Sequence, residues 1–198
     1  MLSPRLVLVR HGQSTWNADG LLQGQADPPL SERGRAEAAA LAPALAGFPS
    51  DRVIASDLVR ARETAELAGH EAPALDPRWR EVGVGEWQGR PLAELPPGPE
   101  PSWRGGSLVP PGGETWEQMA TRVGQAVDEL RARGGAWLVV CHGGTIRAAV
   151  AHVTGADARH IAGPANGSVT VLGLDDAPAL PAQLHAFAWT PDGEVPGL

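Results

Sequence analysis

Short apolar runs that alternate with segments of helical period constrain this chain more than any other feature. RLVLVR (5–10), RVIAS (52–56) and AWLVVC (136–141) are apolar at consecutive positions rather than every second one. A strand covered on both faces reads this way, whereas a sheet with one wet face alternates apolar and polar residues. A weaker strand falls at 72–76, and SVTVLGL and LHAFAW close the chain as two more, with a frayed tail from Thr190. Between the strands lie helices. Ser31 caps SERGRAEAAALAPALAG, which ends near Gly47; Ser56 caps DLVRARETAELAG, which ends at Gly69; and a further helix starts near Gly144. Trp116, Met119, Ala120, Val123, Val127 and Leu130 recur at helical spacing and give a helix over 114–133 one apolar face. Alternating strands and helices predict a three-layer α/β/α sandwich with a mostly parallel central sheet. Residues 82–113 break the rhythm, rich in Gly and Pro. In a single domain spanning 1–198 they predict a small cap or lid inserted over a site.

In such sheets ligands bind beyond the carboxyl ends of the strands. Three strand ends carry chemistry: Arg10-His11, the stretch from Ser56 to Arg60, and His142. If these strands are neighbours, two histidines and two arginines meet at one edge. His11 has two open readings: a neutral imidazole nucleophile with Arg10 lowering its pKa and Gly12 allowing close backbone approach, or a histidine satisfying a strand end. His142 in Cys-His-Gly-Gly is likewise open. Protonated, it donates to an anion beside the helix-starting glycines; otherwise it is a buried histidine above a tight turn. Arg60 lies one turn past Ser56 and can reach beyond the helix N-terminus, while Arg62 points elsewhere as a surface charge. Glu81 and Glu86 flank the turn in REVGVGEWQG, and either one suits a general acid. Trp87 and Cys141 are read as packing residues.

Composition narrows the chemistry. A formal charge of −7 argues against nucleic-acid binding but leaves room for a small phosphorylated metabolite, and the positive charges are arginine, which grips phosphate at two points. One cysteine rules out an internal disulfide, and without HExxH or a third strand-end histidine no metal site is expected. The apolar run at the N-terminus is too short for a signal or a membrane span, so a cytoplasmic location is the default. Oligomeric state is not legible, with a homodimer compatible.

Together these motifs resemble the histidine phosphatase superfamily, which includes the cofactor-dependent phosphoglycerate mutases. LVLVRHGQSTWN resembles its N-terminal signature, followed in order by LLQGQADPPLSERGRAEA, ASDLVRARETA, REVGVGEWQG and VVCHGGTIR. The resemblance implies that His11 attacks phosphorus while Arg10, Arg60 and His142 hold the phosphoryl oxygens. It implies a hydrogen bond from Asn17, proton transfer by Glu81 rather than Glu86, and a substrate-bordering loop at Gln23 and Gly24; the backbone N–H of Gly143, at a helix start, is the further anion contact expected. No metal or other cofactor is implied. The Gly-x-Trp-x-Gly texture of VGVGEWQG and the short insertion favour the phosphatase branch over the mutases. Cys141 stands where Ser is common. A catalytically quiet phosphate-binding protein is the third reading. Arg90 and Arg104 are lid cations placed at the surface, near the substrate if they act at all.

Overall fold

In the computed structural model, which describes residues 4–94, 109–175 and 183–191, strands and helices follow the expected order. The strands are β1 (Arg5–Arg10), β2 (Val53–Ala55), β3 (Ala74–Leu75), β4 (Ala136–Cys141), β5 (Val169–Gly173) and β6 (Gln183–Trp189). The helices are α1 (Thr15–Ala18), α2 (Glu32–Ala40), α3 (Ala42–Leu45), α4 (Val59–Leu67), α5 (Trp116–Arg133) and α6 (Gly143–Thr154). The six strands form one sheet ordered β3-β2-β4-β1-β5-β6. β1, β4, β2 and β3 run parallel, whereas β5 pairs antiparallel with both β1 and β6.

Strand pleating sorts the apolar runs into two layers. Leu6 and Leu8 of β1, Ile54 of β2 and Trp137, Val139 and Cys141 of β4 pack with Met119, Val123 and Val127 of α5 and Ile146 of α6. Their neighbours Val7, Val9, Val53, Ala55, Leu138 and Val140 point the other way, onto Leu41, Leu45, Ala61 and Ala65. Each such Val, Leu, Ile or Met side chain, fully buried, contributes about 1.5–3 kcal/mol. The sheet therefore carries helices on both faces, as the unbroken apolar runs predict.

The structure departs from the sequence reading in three places. The helix begun at Ser31 is interrupted at Leu41 and resumes as α3. Pro43 has no N–H to extend the ladder and sits in the first turn of the new helix, where none is needed. Ser31 does cap α2, accepting from Gly34 N at 3.0 Å. Ser56 does not cap α4. That helix starts only at Val59, whose N–H donates to Asp27 Oδ1 at 2.6 Å from a distant loop. The polar stretch after β1 also holds an unforeseen turn, α1, closed by a capping box between Ser14 and Asn17.

Of the expected lid at 82–113, residues 95–108 lie outside the described residues, Arg104 among them, as do residues 192–198 of the tail. The described part of the lid is packed down rather than splayed. Val82, Val84 and Trp87 are buried in the same core as α5, and Leu21 pairs with Pro91 in an isolated bridge. No helix among the described residues is long and apolar enough to cross a membrane.

Candidate active site

β1 and β4 are sheet neighbours in register to their ends, Arg10 opposite Cys141, so the residues that follow them emerge side by side. His11 N donates to Cys141 O at 3.0 Å, and the rings of His11 and His142 meet edge to face with centroids 5.1 Å apart. β2 flanks β4 on its other side and brings Ser56 to the same edge. Gly12 is required here by proximity. A Cβ on it would lie 2.2 Å from Gly34 O, where the loop after β1 presses on the start of α2.

These strand ends open onto a cavity of about 600 Å³. Its wall includes Arg10, His11, Asn17, Gln23, Gly24, Arg60, Glu81 and Gly143, residues that sequence reading singles out. Glu86 and Arg90 are exposed and do not line it, and neither does Arg62. His142 is fully buried and lies behind His11 rather than in the wall.

The hydrogen bonds around each group define its chemical state. His11 Nδ1 lies 2.7 Å from Gly12 O. A carbonyl can only accept, so the proton sits on Nδ1 and the lone pair on Nε2. Burial, then Arg60, then Arg10 hold the His11 pKa well below 6.5, against the opposing pull of the Gly12 carbonyl. The imidazole is therefore neutral at physiological pH. His142 is likewise held well below 6.5, chiefly by burial and then by Arg60, His11 and Arg10. Of the two readings of His142, burial beside the arginines favours the neutral, buried one, because a charged ring there would face two guanidinium groups. Its Nε2 meets Ser56 Oγ at 2.9 Å, and its Nδ1 has no hydrogen-bond partner.

Arg60 is 1% exposed, and its Nη1 and Nη2 donate to Ala26 O at 2.7 Å and Gly24 O at 2.9 Å. Burial brings its guanidinium down to about 10, with Glu81 and Asp27 opposing, so it stays cationic. Arg10 donates to Pro164 O at 2.5 Å. The two wall amides turn their oxygens inward to protein donors. Asn17 Oδ1 accepts from Ser14 N and Asn166 Nδ2, each at 3.2 Å, and Gln23 Oε1 accepts from Ser14 Oγ at 2.7 Å. Their NH₂ groups are left as donors, which suits an anion. Glu81 sits at the start of α6, its Oε2 accepting from Gly144 N at 3.0 Å and its Oε1 from Val82 N at 2.9 Å. This arrangement sets a neutral imidazole, its Nε2 lone pair free, against two arginines, amide donors and one carboxyl.

Comparison with known proteins carries the same pattern. Residues 6–181 match the family model described as histidine phosphatase superfamily (branch 1). The chain belongs to the histidine phosphatase superfamily. A glucosyl-3-phosphoglycerate phosphatase of Mycolicibacterium vanbaalenii is 36% identical over 167 residues, 76% of this chain and 74% of the relative. A metal-independent phosphoserine phosphatase of Arabidopsis thaliana is 35% identical over 187 residues, 86% of this chain and 76% of the relative. A solved structure of a mycobacterial glucosyl-3-phosphoglycerate phosphatase with VO3 superposes with a TM-score of 0.82 at 33% identity, covering 94% of this chain and 99% of that one. This histidine phosphatase also has features that sequence reading did not mark. Arg147, Arg159 and His160 line the cavity, as does Trp116, read from sequence only as a core-facing helix residue. Arg147 lies over the Trp116 ring, 4.9 Å from its centroid. No local signal distinguishes these residues from ordinary helix and loop positions. Among the described residues no cluster of three or more His, Cys, Asp or Glu is spaced to hold a metal ion.

Proposed function

We propose that this histidine phosphatase is a metal-independent phosphomonoesterase that hydrolyses a small phosphorylated metabolite through a phosphohistidine on His11. The observation that carries the proposal is the hydrogen bond from His11 Nδ1 to Gly12 O. It leaves the Nε2 lone pair available in a cavity walled by two guanidinium groups. In the first step Nε2 bonds to phosphorus while the ester P–O bond breaks, and Glu81 passes a proton to the departing oxygen. Arg10, Arg60 and the amides of Asn17 and Gln23 hold the phosphoryl oxygens, and Gly24 and Gly143 shape the wall beside them. His142 completes this set from behind His11, its Nε2 2.9 Å from Ser56 Oγ. In the second step Glu81 takes a proton from water, whose oxygen bonds to phosphorus as the N–P bond breaks, releasing phosphate.

Loss of one such oxygen-holding group costs about 2.7–4 kcal/mol in the barrier. The cavity is several times larger than a phosphoryl group, and its apolar wall of Leu21, Leu22, Val82 and Val84 accommodates an organic body. The relatives' names place phosphorylated three-carbon acids and their glucosyl derivatives first among substrates to try. The single buried Cys141 suits a reducing, cytoplasmic setting.

The test is phosphate release from p-nitrophenyl phosphate and a panel of phosphorylated metabolites in EDTA, comparing wild type with His11→Ala. Activity that survives EDTA and vanishes in His11→Ala is expected, with an acid-labile phosphoryl label trapped on the wild type. Inactivity across the panel, or activity that needs added metal, sinks the proposal. Phosphoglycerate isomerisation outpacing hydrolysis would reassign the chain to the mutases.

A further inference from the structure

We infer that Arg122, together with Glu114, is a positioning residue that sets Glu81 against the cavity; this rests on the role proposed for Glu81 above. Neither residue lines the cavity. Arg122 projects from the middle of α5, and its guanidinium has five N–H bonds to give. All five have an acceptor. Nε and Nη2 grip Glu114 Oε1 and Oε2 at 2.7 and 2.8 Å. Nη1 donates to Arg78 O and Arg80 O, both at 2.7 Å, and Nη2 also donates to Glu81 O at 3.1 Å.

One side chain therefore fastens the backbone of residues 78–81 to a helix packed in the core. Glu114 extends the clamp on the other side of Glu81. Its N–H donates to Gly83 O at 2.7 Å, and its Oε2 accepts from Gly83 N at 3.1 Å. Gln25 Nε2 adds a donor to Glu81 O at 3.2 Å. Residues 78–83 are otherwise a loop with only a single 3₁₀ turn, Pro77–Trp79, so no strand or helix ladder holds them in place. Side chains of α5 and the segment before it thus fix the Glu81 backbone, together with Gln25 and the Arg80–Asp57 ion pair on the preceding residue. The carboxylate reaches Gly144 N only from that position.

A lysine offers three donors and no planar fork, so Arg122→Lys leaves at least two of these acceptors unserved while keeping the charge. A misplaced general acid affects substrates unequally. An alkyl phosphate such as glycerol 2-phosphate releases a poor leaving group that needs the proton, whereas p-nitrophenyl phosphate releases a phenolate that leaves without it. The experiment measures kcat/KM for both substrates in wild type, Arg122→Lys, Glu114→Gln and Glu81→Gln, with Tm recorded for each. Arg122→Lys is expected to lose about 100-fold on the alkyl substrate, the scale of a 1 Å misplacement, and no more than about 3-fold on the aryl one. Glu81→Gln should show the same selectivity more strongly, and Glu114→Gln the same selectivity more weakly. Glu114→Gln keeps the test open if Arg122→Lys does not fold. Equal losses on the two substrates would make Arg122 a purely structural residue and overturn the inference, as would no loss on either. A wild type inactive on both refutes the proposed function itself, and the inference with it. A wild type active on both, with unselective variants, refutes the inference alone.

Discussion

Gly144→Ala should leave this protein about as stable and far less active. Gly144 is the second residue of α6, and a Cβ built on it falls 2.1 Å from Glu81 Oε1 and 3.1 Å from its Cδ. Cβ contacts below 3.0 Å essentially do not occur, so the carboxylate oxygen must retreat by about 0.9 Å. It can do so, being the free end of a side chain, and the helix itself is not strained. In a helix, Ala is favoured over Gly by about 0.8–1.0 kcal/mol. Against that stands the weakening of the bond from Gly144 N to Glu81 Oε2, a charge-assisted contact of the kind that contributes about 1.5–3 kcal/mol. It is lost in part, because the carboxylate swings rather than leaves. The net stability change is therefore small. The catalytic change is not, since displacing a reacting group by about 1 Å lowers a rate about 100-fold. The assay is kcat/KM on glycerol 2-phosphate beside urea unfolding of the same preparations. Activity within about 3-fold of wild type would show that Glu81 does not work from this position. A fall in the unfolding midpoint would show that the clash moves backbone instead of the carboxylate. Either result refutes the reasoning.

Three further outcomes follow from the site. His11 and His142 are held neutral in the fold, with pKa values well below 6.5, but bind protons near 6.5 when unfolded. Unfolding therefore takes up protons as pH falls below 6.5, and stability present at neutral pH should decline by about 1.4 kcal/mol per pH unit for each such histidine. Urea midpoints measured from pH 7.5 down to 5 check this. A flat profile, or stability that rises on acidification, contradicts it. Gly24→Ala should cost about 1–3 kcal/mol and most of the activity, because φ is +53° there and a Cβ would lie 2.5 Å from Val84 Cγ2 and 2.9 Å from Val84 N, in the loop whose carbonyl holds Arg60. Thermal unfolding and phosphate release measure the two effects; a wild-type Tm would exclude the strain. Burial pushes the Cys141 thiol up to about 12, so it should not react with Ellman's reagent at neutral pH until the protein is unfolded, and rapid labelling of the native form would show an open path to it.

Much of this molecule is legible in the chain itself. The consecutive apolar positions of RLVLVR and AWLVVC encode burial on both faces, and the boundaries of β1 and β4 fall where those runs end. Ser31 caps its helix because the acceptor and the N–H it serves are only three residues apart. Strand-end position and family resemblance single out His11, the resemblance alone singles out Glu81, and both line the cavity.

What tertiary structure alone decided concerns pairs of residues far apart in the chain. Ser56 reads locally as a helix cap, yet it meets His142, 86 residues away, because β2 and β4 are neighbours in the sheet, and the start of α4 is served by Asp27 instead. Sequence leaves His142 open between a protonated donor and a buried histidine, and its burial and arginine neighbours favour the neutral form. Arg122 reads as one more polar residue on an amphipathic helix, though it spends all five N–H groups on residues 78–81 and 114. Periodicity reports which face of an element is buried, a property set by nearest neighbours along the chain. Which donor meets which acceptor depends on strand order and helix docking, which bring together groups that no local spacing relates.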